Sequence, residues 1–123
     1  MSTILTDVLL IDDLRVFKDD RLCTIARDSG QALDLLSRQN VWREIWFDHD
    51  LGVVDNVGID TTMRVVDFLC ERAYNGSPVE VDTVYVHTSN PVGSVQIMRS
   101  LARYGYNCVR VNASDVFTVE DDK

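Results

Sequence analysis

The sequence predicts an α/β domain built on a five-stranded parallel sheet in the order 2-1-3-4-5. Three observations lead there. Short apolar runs alternate with stretches whose apolar residues recur every three or four positions, the pattern of strands joined by helical crossovers. The chain has 123 residues, 46% of them hydrophobic, with 2 prolines and 6 glycines, which suits one domain around one core. Several apolar runs also end in Asp, His, Thr or Ser, as strands do when their carboxyl ends open onto a ligand crevice.

The first strand is the continuous run Val8 to Ile11, which ends in Asp12-Asp13. Leu14 to Arg21 is shorter than the dozen or so residues of an ordinary crossover, so the first helix is expected to shrink to a loop or a single turn. Leu22 to Arg27 reads as the second strand, and Ser29-Gly30 opens a helix with the apolar face Ala32, Leu33, Leu35 and Leu36. Val41 to Phe47 is the third strand and runs into Asp48-His49-Asp50. Ile59, Met63, Val66, Cys70 and Ala73 then mark an amphipathic helix, stopped by Asn75-Gly76-Ser77-Pro78. Asp55 and Asp60 read as loop and helix-start residues. Val81 to His87 is the fourth strand, Pro91 starts a helix carrying Val95, Met98, Leu101 and Ala102, and Gly105 ends it. Asn107 to Val111 is the fifth strand, after which the last helix is missing or vestigial. Residues 1–117 form the domain, with helices expected on both sheet faces in the flavodoxin-like manner, and 118–123 form a frayed acidic tail.

Composition narrows the function. A net charge of −8 and only 12 Lys and Arg disfavour a nucleic-acid partner, because such binding draws on clustered cations. Only Arg99, Arg103 and Arg110 approach a local basic patch, and at helical spacing Arg99 and Arg103 are more often a solvated face. No run reaches the roughly 18 apolar residues of a membrane span, and Met1 to Ile4 lacks a signal-peptide start, so the expectation is cytoplasmic. Cys23, Cys70 and Cys108 lack metal-type spacing and read as buried reduced thiols.

In the 2-1-3-4-5 order, Asp12-Asp13, Asp48-His49-Asp50 and His87-Thr88-Ser89-Asn90 converge on one edge. Carboxylates this close repel unless a cation shares the site, and oxygen ligands suit a hard ion, most economically Mg2+ bound through one or two carboxylates plus waters. Asn90-Pro91 supplies a helix start with free N–H groups, a receptor for phosphate if Mg2+ or Arg15 offsets the aspartates. Blander readings stand beside this one: an Asp pair often caps a turn, a strand histidine is often a satisfied core residue, and Thr88 and Ser89 could be plain helix caps.

An acidic pair after the first strand (Asp12, Asp13), an Asp ending the third (Asp48) and a hydroxyl residue ending the fourth (Thr88) resemble the receiver domain of response regulators. That family also carries a Lys at the end of the fifth strand. Here the only lysines are Lys18 and Lys123, and Asn112 stands near that position. The segments Ile11-Asp12-Asp13-Leu14-Arg15, Phe47-Asp48-His49-Asp50-Leu51-Gly52 and His87-Thr88-Ser89-Asn90-Pro91-Val92-Gly93 more closely resemble the cyclic-phosphate processing receiver domain, a divergent receiver-like family of bacteria and phages. Phe17 departs from the Pro expected in that first loop.

The resemblance implies a metal-dependent phosphoesterase acting on cyclic phosphates or cyclic nucleotides. Asp12, Asp13 and Asp48 would hold Mg2+, His87 and His49 would divide acid and base roles with Asp48 in the catalytic group, and Arg15, Thr88, Ser89 and Asn90 would receive the phosphate. Asp50 could orient His49, although alternation along the chain leaves open which of the three side chains faces the site. Two alternatives remain: a non-catalytic module binding a phospholigand or a protein partner, and a receiver phosphorylated on Asp48.

Overall fold

The computed structural model describes residues 6–48, 50–54, 58–87 and 91–119. His49, Asp55, Thr88, Ser89, Asn90 and the tail 120–123 lie outside the described residues. In chain order the elements are β1 (Val8–Ile11), β2 (Arg15–Phe17), β3 (Thr24–Ala26), α1 (Ser29–Arg38), β4 (Val41–Phe47), β5 (Asp50–Val54) and β6 (Gly58–Thr61). Then follow α2 (Met63–Tyr74), β7 (Glu80–Val86), α3 (Pro91–Arg103), β8 (Cys108–Arg110), α4 (Ala113–Val116) and β9 (Phe117–Val119).

The central sheet is parallel, in the order β3-β1-β4-β7-β8. Counting only its own strands, this is the expected 2-1-3-4-5. Asp28 caps α1, its side chain accepting the Gln31 N–H at 2.8 Å. Gly76 and Gly105, just beyond α2 and α3, adopt φ of +85° and +92°, where a Cβ would strain the backbone. The last helix is indeed vestigial, reduced to the four residues of α4.

The two faces of the sheet are covered differently. Leu9, Ile11, Ile45, Phe47, Val84 and Val86 pack against Ala32 and Leu36 of α1, Val65, Val66 and Leu69 of α2, and Ile97 and Leu101 of α3. All three long helices therefore lie on one face, not on both as expected. On the other face Val8, Leu10 and Trp46 are covered by Phe17 and Phe117, which belong to an antiparallel ribbon of β2 and β9. The reason is length: neither the stretch after β1 nor the stretch after β8 can build a helix long enough to cover the sheet. Two three-residue strands from distant parts of the chain cover it together.

Other differences are local. Leu14 to Arg21 contains a strand, β2, instead of a loop or helical turn, and the second sheet strand is only Thr24–Ala26. Thr118 and Val119, read as the start of the tail, finish β9. Ile59 and Asp60 belong to β6, which pairs with β5 as a hairpin, so α2 begins at Met63 instead of near Ile59. On α3 the buried line is Gly93, Ser94, Ile97 and Leu101, leaving Val95 and Ala102 exposed. The cysteines are free but half-buried, not enclosed.

Candidate functional site

Register builds the site. Ile11, Phe47 and Val86 are aligned across β1, β4 and β7. One residue further on, Asp12 donates its N–H to Ala26 at 3.1 Å, Asp48 to Ile11 at 3.1 Å, and His87 to Phe47 at 2.9 Å. Side chains alternate along a strand, so Asp12, Asp48 and His87 continue the rows of Leu10, Trp46 and Tyr85 and face the ribbon. Three neighbouring strand ends thus deliver two carboxylates and an imidazole to one place.

Asp12 and His87 are fully buried, and Asp48 is 6% exposed. Asp12 Oδ1 accepts the N–H groups of Leu14 (3.0 Å) and Arg15 (2.9 Å), while Oδ2 faces His87 Nε2 at 2.9 Å. Burial works to raise the Asp12 carboxyl, but the His87 hydrogen bond and the two backbone donors outweigh it and hold it below the usual Asp range. Asp13 goes the other way, pushed up by burial and by the charge of Asp12. Arg15 Nη1 bridges the aspartates, 3.2 Å from Asp48 Oδ2 and 3.5 Å from Asp12 Oδ2.

Asp12, Asp13 and Asp48 each bring a carboxylate oxygen within 4.8 Å of the others. An all-oxygen set of this charge suits a hard divalent cation, which would offset the Asp12 charge that adds to burial in raising Asp13. The residues present therefore fit Mg2+. Arg15 supplies positive charge at the same oxygens.

The sequence did not point to three residues that shape this edge. Arg27 Nη1 donates to the carbonyls of Asp12 (3.1 Å) and Arg15 (2.8 Å), tying down the loop between β1 and β2. Phe117 places its ring 4.3 Å from that of His87, and Trp46 lies 6.3 Å away, so the imidazole is sealed beneath aromatic rings. His87 Nδ1 is buried with no hydrogen-bond partner among the described residues. Arg27 sits just past a strand end, a detectable signal; Phe117 carried none.

Among the other candidates, His49, Thr88, Ser89 and Asn90 lie outside the described residues, and only the backbone of Asp50 is described, as the first residue of β5. Where a receiver carries its Lys, Asn112 precedes α4 and accepts the Ser114 hydroxyl at 3.2 Å. Lys18 donates to the Ser114 carbonyl at 2.6 Å.

Residues 8–103 match the family of the cyclic-phosphate processing receiver domain. The chain belongs to that family. No curated protein and no solved structure matches it. As a cyclic-phosphate processing receiver domain it places its acidic strand ends where the three sequence segments put them, while β8, α4 and β9 lie beyond the matched region. No helix among the described residues is long and apolar enough to cross a membrane.

Proposed function

We propose that this edge binds the phosphoryl group of a cyclic phosphate or cyclic nucleotide and hydrolyses it with the help of Mg2+. The observation that carries the reading is the cluster of Asp12, Asp13 and Asp48, with oxygens within 4.8 Å, set beside the Arg15 guanidinium. The family description points to the same ligand class.

Asp12, Asp13 and Asp48 would hold the cation. When bound, Mg2+ supplies positive charge to phosphoryl oxygens and lowers the cost of a developing negative charge there. Arg15, with its side chain 28% exposed, can offer donors to a phosphoryl oxygen from the solvent side. The Thr88 and Ser89 hydroxyls and the helix start after Asn90 are assigned to the remaining oxygens. In the reaction, water attacks phosphorus, one P–O bond of the ring breaks, and the departing ribose oxygen takes a proton, leaving a phosphomonoester.

The roles of the histidines divide. His87 is buried and paired to Asp12, so we assign it to positioning that carboxylate and not to touching substrate. Acid–base work at the ribose oxygen falls to His49. A phospho-accepting role for Asp48 draws less support, because the Lys position holds an Asn already bonded to Ser114.

The test is product formation from 2',3'-cyclic nucleotides and cyclic oligonucleotides with MgCl2. Wild type should turn over at least one class, Asp48→Asn should lose about 100-fold or more, and His49→Ala should lose a comparable factor. Inactivity of wild type across the panel overturns the hydrolase reading. Saturable binding without product, seen by calorimetry, replaces it with a binding module.

A further inference from the structure

The charge of the chain is unevenly placed. From His87 to Ser114 there is no Asp or Glu, while Arg99, Arg103 and Arg110 fall in that span, so the rest of the chain carries more than the whole net charge of −8. This segment forms α3 and β8, and the three arginines are exposed. β8 is the last strand of the sheet, and the helix after it is only α4.

The same surface is apolar beside its arginines. Val92 is 69% exposed and Val95 51%. Val92, Val95, Arg99 and Ala102 recur at helical spacing along the outer side of α3. Between α3 and β8 runs an open groove of about 540 Å3, floored by Met98, Tyr106 and Cys108. Among the described residues Arg99 is the one charged residue in its lining, and an apolar groove beside a helix with a cation at its side fits the helix-in-groove mode of recognition.

We propose that this face docks an acidic amphipathic helix of a partner protein, its apolar side on Val95 and Met98 and its carboxylates on Arg99, Arg103 and Arg110. A symmetric second copy is a poor occupant, because an isologous contact would set these arginines against themselves. A nucleic acid offers no apolar face to match Val92, Val95 and Met98. An acidic helix gains from both features of the surface, and the site edge plays no part in the argument.

The probe is a fluorescent Glu/Leu amphipathic peptide of about 15 residues, about 22 Å long when helical and so slightly longer than α3. A Glu/Ser peptide of the same charge and length is its control. The acidic protein repels both peptides overall, so binding reports a local surface. Anisotropy should show saturable binding of the Glu/Leu peptide, roughly tenfold weaker for Glu/Ser, and weakened roughly tenfold by Arg99→Glu with Arg103→Glu and by added salt. Amide shifts should move within 92–110. No saturation up to about 1 mM, or binding unchanged in the double variant, overturns the proposal. So does arginine-dependent binding of a single-stranded oligonucleotide tighter than the peptide, or self-association that the double variant abolishes.

Discussion

If Arg15 and a divalent cation draw on the same carboxylates, replacing Arg15 by Gln should destabilise the protein and tighten Mg2+ binding together. Arg15 Nη1 sits 3.2 Å from Asp48 and 3.5 Å from Asp12, with the aspartate side chains 9% and 0% exposed but its own 28%. Removing one partner of a buried pair costs about 3–5 kcal/mol, and an exposed pair is worth about 0–1. The partial exposure of Arg15 puts the expected loss at about 2 kcal/mol, or about 8–10 °C in Tm for a chain of this size. A like charge about 4 Å from a cation costs several kcal/mol at an effective dielectric of about 20, so even after screening the gain in Mg2+ affinity should be about tenfold or more. The assay is thermal unfolding followed by tryptophan fluorescence across a MgCl2 titration at constant ionic strength. Bound cation raises stability by RT ln(1 + [L]/Kd), so the variant should start lower and recover at about tenfold less Mg2+. A variant that binds Mg2+ no tighter than wild type would refute the idea that Arg15 and the cation share these oxygens.

Four further outcomes follow from the structure. Phe117→Ala removes a 4%-exposed ring packed on Phe17, Trp46 and His87, and should cost about 3 kcal/mol in urea unfolding; a loss under about 1 kcal/mol would mean that the ribbon does not cover the sheet in solution. The Thr62 hydroxyl is buried without a partner among the described residues, so Thr62→Val should be neutral or stabilise by about 1 kcal/mol, and a clear loss of stability would reveal a hydrogen bond to it. Asp13 has a higher pKa folded than unfolded, so the stability it contributes is full below the unfolded value of about 3.9 and is lost as pH rises through the folded one. Asp13→Asn should therefore be more stable than wild type at pH 7 without metal and equal to it near pH 3; no gain at pH 7 contradicts the upward shift from burial and the Asp12 charge. Burial, with a smaller push from Cys70, raises the Cys108 thiol to about 11, so iodoacetamide at pH 8 should label it about a hundredfold more slowly than a free cysteine, by mass spectrometry.

Much of this architecture was legible because strand and helix periods differ. Val41 to Phe47 was read to the residue, since a seven-residue run rich in apolar side chains and closed by acidic ones is too short for a buried helix and too apolar for a loop. The row of Asp12 and Asp48 was legible too, because in-register parallel strands bring equivalent positions together. What escaped was carried by segments too short to have a period. β2 and β9 have three residues each, and their pairing joins Arg15 to Val119 across nearly the whole chain. Along α3, Val95 and Ala102 share the helical spacing of Ile97 and Leu101, and only the position of the sheet decides which stripe is buried.

That short ribbon also explains why the imidazole at the end of β7 differs in kind from the carboxylates beside it. Asp12, Asp48 and His87 all face the ribbon side, so whatever covers that face decides which of them meets solvent. Phe117 closes over His87, while Arg15, at the start of β2 and with its side chain 28% exposed, lies against Asp48. The sealed imidazole keeps its Nε2 within hydrogen-bond reach of Asp12 Oδ2, at 2.9 Å. The ionisation of Asp12 is thereby tied to a phenyl ring more than a hundred residues away, and changes in β9 should alter cation binding through His87 without touching a ligand oxygen.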